Sequence, residues 1–337
     1  MKLLKFPNLV LEEVYGQLST TGKLVLSMAS KKTLDSIKQF KWNMTEVEFI
    51  FGQGYIEIGV FSHTSGKIRQ FDGDTIAFRT SLSPTICCQP LTSRAMAEFE
   101  FYHVFENNVA LEMHDHIFEL FFRDELRLRV CIYGYQNYSA IPNVYMADLS
   151  GESTHMHDID EFVTSSSKLE SLKVFGDLIG GKYPSPNSKM FSVRSLYYAY
   201  SKNPFTKYIR YFKGRDAIFS FFHEESSGYV IEFLEKWIIG EYSESLEYVQ
   251  VRNCVHDDFI RARVVHRFQN QLKPWNGSGM PGFYRFGAEL EASFEMKPEH
   301  YDFQGGFYLE READGRRGLL KLGANFMSFW IIRNDVH

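Results

Sequence analysis

The stretch Val230-Ile231-Glu232-Phe233-Leu234-Glu235-Lys236-Trp237-Ile238-Ile239-Gly240, with Leu246-Glu247-Tyr248-Val249-Gln250-Val251 close behind it, decides the fold class of this chain. Val230, Phe233, Leu234, Trp237 and Ile238 recur at helical spacing, and Gly240 is a natural helix stop. The pattern Leu246-x-x-Val249-x-Val251-x-x-Cys254 then alternates as a strand. A helix followed by such a strand is the unit of leucine-rich arrays, in which neither element buries its face alone and each stacks on neighbours. A second strand of the same spacing is Leu169, Leu172 and Val174. Between the two, Val193, Leu196, Tyr208 and Ile209 follow no fixed period. Residues 143–260 are therefore expected to form a degenerate, repeat-like α/β sheet and not a regular horseshoe. Val144, Met146 and Leu149 predict a short strand at its start, and Ile159, Phe162 and Val163 a short helix. Trp237 and Phe233 are expected to anchor the long helix onto the strand Leu246–Val251.

Outward from this core the chain changes rhythm. Residues 46–135 read as mostly β. Apolar residues alternate from Val47 to Phe61 around Gly52-Gln53-Gly54, as in a hairpin. Ile76-Ala77-Phe78 is a further strand. Phe99, Phe101, His103 and Phe105 alternate up to Asn107-Asn108, read as a turn; Leu111 and Met113 resume, and Ile117 to Phe122 is a dense apolar run. Leu126, Leu128, Val130 and Ile132 alternate again. Residues 283–332 read as a C-terminal β segment. There Phe307-Tyr308-Leu309 and Leu319-Leu320-Lys321-Leu322 flank Asp314-Gly315, a hairpin turn signal, and Phe326-Met327-Ser328-Phe329-Trp330 is a final aromatic strand.

Bulk properties set limits. A chain of 337 residues allows one large or two medium domains. Aromatic residues make up 16%, with 31 Phe and 19 Tyr, which suits a sheet-rich core. The net charge of −5 argues against a general nucleic-acid binder, which needs a basic face. No apolar run approaches the ~20 residues needed to cross a membrane. Phe6-Pro7 and Glu12-Glu13 interrupt any signal-peptide layout. The four cysteines, Cys87, Cys88, Cys131 and Cys254, have no C-x-x-C spacing and are expected to be reduced thiols in the cytoplasm or nucleus.

The first 43 residues differ from all the rest. Leu11, Val14 and Leu18 mark one helical face; Leu24 and Leu26 follow the polar break Ser19-Thr20-Thr21-Gly22; Leu34 and Ile37 begin a third piece. Three short amphipathic pieces have little interior to bury and leave apolar surface for a partner. Phe6, Pro7, Val10, Leu11, Val14, Leu18, Leu24, Ser30, Lys31 and Lys32 stand in the register of an F-box, and the segment resembles one. Thr33 stands where many members carry tryptophan. A second resemblance lies in Phe233, Leu234, Trp237, Gly240, Leu246 and Tyr248, supported by Arg311 to Arg317 around Asp314 and Gly315. These are similar to the type 2 F-box-associated domain, which follows an F-box in a family expanded in nematodes.

The two resemblances imply an α+β or α/β chain with a helical F-box at 1–43 and an F-box-associated region at 44–337. They imply a substrate-recognition subunit of an SCF-type cullin ubiquitin ligase and not an enzyme. Phe6, Pro7, Val10, Leu11, Val14, Leu18, Leu24 and Leu26 would dock on a Skp-family adaptor, which bridges to a cullin, while the remainder holds an unidentified target protein. No cofactor, metal, nucleic acid or membrane enters this reading. A non-ligase scaffolding protein is the alternative. Residues 44–337 are expected to fold without the first 43.

Other polar constellations carry less. His114-Asp115-His116 and His155-x-His157-Asp158 hold ligand-type residues, and alternate histidines share a face if the backbone is extended, but no third and fourth ligand follow at a known spacing. Asp72-Gly73-Asp74 lacks the rest of a calcium loop. Ser150-Gly151 and Gly305-Gly306 match no phosphate loop or nucleophile elbow. Glu12-Glu13 and Glu224-Glu225 read as solvated faces. Lys202 through Arg215 is locally basic with Tyr208 and Tyr211 interleaved, and reads as the solvated rim of a sheet.

Overall fold

The computed structural model describes residues 3–40, 42, 46–52, 55–61, 74–80, 96–101, 107–121, 127–133, 141, 143–179, 185–201, 205–221, 226–242, 244–253, 260–276, 284, 286, 294, 296, 302–323 and 325–332. The chain is mixed α/β and divides into two compact units: residues 1–147 with 165–168, and residues 148–164 with 169–337. Of the expected features, Gln53-Gly54, Asp72-Gly73, Cys87, Cys88, His103, Phe105, Phe122, Leu126, Lys202, Glu224-Glu225 and Cys254 lie outside the described residues.

The first unit opens with helices α1 (Asn8–Gln17), α2 (Thr20–Met28) and α3 (Lys31–Lys38). Strands β1 (Glu46–Gly52), β2 (Tyr55–Phe61), β3 (Asp74–Thr80) and β4 (Met96–Phe101) follow, then helix α4 (Asn107–Phe121) and strand β5 (Arg127–Tyr133). β2 pairs antiparallel with β1 and with β3, while β4 joins β3 and β5 joins β1 in parallel. Leu128, Val130 and Ile132 are buried as their alternation requires, but so is Cys131 between them, so β5 is covered on both faces.

Helix α4 corrects the expectation that Asn107-Asn108 is a turn after which alternation resumes at Leu111 and Met113; strands remain the larger part of the described residues of 46–135. Met113, Ile117, Leu120 and Phe121 are all buried, and their spacing is that of one helix face. Leu111 and Met113 are two apart and imitate a strand locally; the longer period is what the chain obeys. α4 packs against α2 and α3. The N-terminal helices thus share a compact unit with residues beyond position 43, and the division of the chain falls at 147.

Strand β6 (Val144–His155) is longer than expected; its first four residues belong to the first unit and the rest to the second. The second unit continues with α5 (Met156–Ser165), β7 (Ser171–Ile179), β8 (Ser195–Ser201), the single turn α6 (Thr206–Ile209), β9 (Asp216–Phe221), α7 (Ser226–Ile238), β10 (Tyr248–Asn253) and α8 (Ile260–Arg267). It ends with the short β11 (Lys273–Pro274), then β12 (Phe307–Glu310), β13 (Arg317–Leu322) and β14 (Phe326–Ile331). β7, β8, β9 and β10 run parallel in sequence order. β14 pairs antiparallel with β10, and β13, β12 and β11 extend that edge as antiparallel strands.

The parallel strands start in register: Ser171 lies opposite Ser195, Ser195 opposite Asp216, and Asp216 opposite Tyr248. Alternation then sorts the side chains onto two faces. Leu172, Val174, Leu196, Tyr198, Ala217, Phe219, Val249 and Val251 form one buried face. Phe205, Tyr208, Phe233 and Trp237 cover it. The ring centroids of Phe205 and Phe219 are 5.6 Å apart, those of Tyr198 and Tyr208 4.8 Å, and those of Trp237 and Phe329 4.8 Å at 80°. Trp237 is completely buried, so the core expected of this helix is present. Its ring meets Phe329 of β14 edge-on, a partner from far along the chain. Gly240 ends the helix at φ +85, and Gly315 turns between β12 and β13 at φ +70, both left-handed conformations that glycine adopts at little cost.

The second face carries Ser171, Lys173, Ser195, Tyr197, Asp216, Ile218, Tyr248, Gln250 and Ser328, and it too is buried. Tyr284 stacks on Tyr248 at 5.0 Å, Phe294 lies 5.5 Å from Tyr197, and Phe303 lies 5.9 Å from Trp330. Of the expected C-terminal β segment at 283–332, the described residues show strands from Phe307 onward, and Tyr284, Phe286, Phe294 and Met296 are buried and lie outside the described strands. Among the described residues no helix is long and apolar enough to cross a membrane.

Candidate functional site

The N-terminal helices are fixed by local chemistry. Pro7 takes an extended conformation ahead of α1, and its carbonyl accepts from the Val10 and Leu11 N–H groups at 2.9 and 3.1 Å. Ser19 caps α2 by accepting from the Gly22 N–H at 3.0 Å, and Ser30 caps α3 by accepting from the Thr33 N–H at 3.2 Å. Their shared core is Tyr15, fully buried, whose hydroxyl pairs with Ser36 Oγ at 3.0 Å and whose ring meets Phe40 at 5.7 Å. Trp42 donates from Nε1 to the Ile37 carbonyl at 3.1 Å and carries Lys23 over its ring at 4.3 Å.

This core sorts the eight expected docking residues. Leu11 (4% exposed) and Leu24 are buried beside Tyr15, Leu34 and Ile37. Val14, Leu18 and Leu26 are half-buried, and Pro7 is exposed. Phe6 and Val10 are open, at 52% and 41%. Leu9, which the sequence reading passed over, is the most exposed of all at 81%. Its position in the first turn of α1, beside Val10 and just after Phe6 and Pro7, was the available signal. Phe6, Leu9 and Val10 together form an uncovered apolar head on α1.

Two polar contacts tie these helices to α4. Ser27 Oγ lies 2.7 Å from His116 Nε2, and Lys38 Nζ donates to Glu119 Oε1 at 2.8 Å. Partial burial holds the His116 imidazole below its ordinary value, against a smaller upward pull from Glu119. His114 and His116 both lie on α4, where residues two apart point to different sides. His114 is buried and stacks on Phe118 at 4.3 Å. His155 ends β6, and His157, exposed on α5, lies 3.1 Å from Glu161. Among the described residues no group of three or more His, Cys, Asp or Glu is placed to hold a metal ion.

The second unit holds a buried polar cluster that sequence reasoning missed. Asp216, fully buried, accepts from Ser195 Oγ at 2.8 Å, Arg215 Nε at 3.1 Å and the Tyr284 hydroxyl at 2.6 Å. Glu247 lies 3.3 Å from the same hydroxyl and 3.8 Å from Arg215. Burial and the Asp216 carboxylate push the Tyr284 phenol far above its ordinary value. The arrangement is a hydrogen-bonded lattice in which, among the described residues, Ser195 has a carboxylate neighbour and no imidazole base. Its chemistry is that of a clamp, with Tyr284 itself held on the sheet by the Asp216 carboxylate and by stacking on Tyr248. Its faint sequence signal was Glu170, Arg194, Arg215 and Glu247, each one residue ahead of the aligned strand positions.

The second group of motif residues is structural in its placement. Phe233, Leu234, Trp237, Leu246 and Tyr248 are buried, Gly240 ends α7, and Asp314 and Gly315 form the exposed turn between β12 and β13. Arg311 donates from Nε to Asp314 Oδ1 at 2.8 Å. Hydrogen bonding from Arg311 lowers the Asp314 carboxyl to about 2.

Comparison of the chain with family models, with curated proteins and with solved structures gives no match.

Proposed function

We propose that the chain is a non-enzymatic substrate receptor of an SCF-type ubiquitin ligase. In this reading helices α1 to α3 are an F-box that docks on a Skp-family adaptor, and through it on a cullin. The second unit is an F-box-associated domain of degenerate leucine-rich-repeat character that holds a target protein. The receptor breaks and forms no bonds; it raises the concentration of target lysines near the ubiquitin-carrying enzyme.

The observation that carries this reading is the uncovered head of α1. Phe6, Leu9 and Val10 stay exposed while Leu11, Tyr15, Leu24, Leu34 and Ile37 are buried. A short helix that buries one apolar face and leaves another open is built to meet a partner. The resemblance of residues 6–32 to an F-box supplies the identity of that partner, and the four parallel strands aligned at Ser171, Ser195, Asp216 and Tyr248 suit a repeat-like receptor.

The test follows from burial. Leu11→Asp puts a charge into the unit's own core and so measures folding. Leu9→Asp and Val10→Asp place the charge on the open head, where an apolar interface makes it costly by several kcal/mol. Full-length protein carrying Leu9→Asp with Val10→Asp is expected to keep its thermal melt and lose adaptor and cullin in co-purification. Retention of both at the wild-type level overturns the reading. Recovery of a different partner through the same residues, with neither adaptor nor cullin, assigns the chain to non-ligase scaffolding.

A further inference from the structure

From Asp177 to Asp216 the sequence contains Lys182, Lys189, Arg194, Lys202, Lys207, Arg210, Lys213 and Arg215 and, between those two aspartates, no acidic residue, in a chain whose net charge is −5. The structure shows where the exposed described members of this run lie. Lys189 stands on the turn before β8, and Arg210 and Lys213 stand on the turn before β9; all three are exposed. The two turns are stitched side by side. The Lys213 N–H donates to the Phe191 carbonyl at 2.8 Å, and the Arg215 and Asp216 N–H groups both donate to the Arg194 carbonyl, at 2.7 and 3.1 Å. The rings of Phe191 and Tyr211 lie 6.0 Å apart, and the Arg210 guanidinium lies 5.3 Å from the Tyr211 ring. The platform is therefore rigid, and it sits at the end of the strands where each one begins.

Three acidic neighbours are already engaged. Glu170 faces Arg194 at 3.3 Å, and Glu247 faces Arg215 and Tyr284. Asp160 accepts the Ser188 hydroxyl at 2.6 Å and the Lys189 backbone N–H at 2.7 Å, and Glu244 stands exposed just beyond the platform. Among the described residues none of the side chains of Lys189, Arg210 and Lys213 has a carboxylate partner.

We propose that Lys189, Arg210 and Lys213, on the paired turns before β8 and β9, form a docking surface for an extended Asp/Glu-rich segment of a partner protein. Charge decides the sign of the occupant. Placement decides its kind. The three cations occupy separate positions along two adjacent turns, which suits one carboxylate per cation along an extended chain. A phosphate group calls for several donors around a single anion. A nucleic acid calls for more phosphate contacts, about 6–10 in a typical site, and for open aromatic faces. Here Tyr208 is buried under Tyr198 and Tyr211 is occupied by Phe191 and Arg210. If the chain is a ligase receptor the segment belongs to its target; that attribution alone rests on the receptor reading.

The test uses the full chain without adaptor, so that its outcome is independent of N-terminal docking. A short fluorescein-labelled peptide of alternating glutamate and glycine is titrated with protein and followed by anisotropy at low and at physiological salt. Wild-type protein is expected to bind, with affinity falling as salt rises. Arg210→Glu with Lys213→Glu is expected to weaken binding by about tenfold or more, because each change replaces attraction with repulsion. Arg261→Glu, an equal change of charge for one residue on the exposed side of α8, is expected to leave it unchanged. Should the double variant fail to fold, Lys189→Glu on the other turn is expected to weaken binding roughly threefold. Absence of wild-type binding overturns the proposal, as does equal loss in Arg261→Glu. It is likewise overturned if a phosphoserine peptide or a single-stranded oligonucleotide of the same charge binds more tightly than the glutamate peptide.

Discussion

Trp237 shows what one side chain contributes here. Its ring is completely buried, it meets Phe329 at 4.8 Å, and its Nε1–H has no hydrogen-bond partner among the described residues. It is held by shape and not by polar contacts. Phe329 itself reaches this position because Gly318 leaves room: a Cβ there would stand 2.1 Å from the Phe329 ring. Trp237→Ala therefore opens a cavity bounded by a ring that cannot collapse into it. We expect a loss of about 3–5 kcal/mol, read as a lower denaturant midpoint with the slope unchanged. A melt unaffected by the substitution would place the tryptophan on the surface.

The contact between α2 and α4 is sensitive to pH. The Ser27–His116 hydrogen bond joins them, and burial lowers the affinity of His116 for a proton. A folded-state value below the unfolded one means that the unfolded chain binds the proton more readily. The contribution is therefore present above the ordinary histidine value of about 6.5 and is lost as pH falls below it. The Lys38–Glu119 pair beside it sits largely in solvent, where such pairs contribute little. We expect the thermal midpoint of the first unit to drop between neutral and mildly acidic pH. His116→Gln, which keeps a polar side chain but cannot titrate, should flatten that drop. An unchanged pH profile in the variant assigns the acid sensitivity to other groups.

For the molecule as a whole, the position of the boundary matters most. Residues 3–40 belong to the first unit, where one face of α4, with His116 and Glu119, packs against α2 and α3, and Met113, Ile117, Leu120 and Phe121 are buried. Deleting residues 1–43 uncovers that face. The truncated chain is expected to bind a hydrophobic dye, to lose the melting transition of the first unit and to keep that of the second unit, residues 148–164 with 169–337. If it instead melts as the full chain does, α4 has another cover, and the N-terminal helices are independent of it.

The sequence alone carried the elements whose periodicity is unbroken: helix α7 with its glycine stop, the strands at 248 and 326, the turn at Asp314-Gly315, and the three amphipathic pieces of the N-terminal segment. These signals are local, because spacing and turn chemistry act over a few residues. The sequence could not tell α4 from strands, since two adjacent apolar alternations mimic β within a helical run. It could not assign Leu11 to the inside and Leu9 to the outside, because both are apolar positions on one helix, and which face is covered depends on Tyr15, Leu34 and Ile37. Nor could it pair Asp216 with Tyr284 or lay the basic turns before β8 and β9 together, since those contacts join residues far apart in the chain. Tertiary packing decided these points, because burial is a property of what the rest of the chain brings alongside.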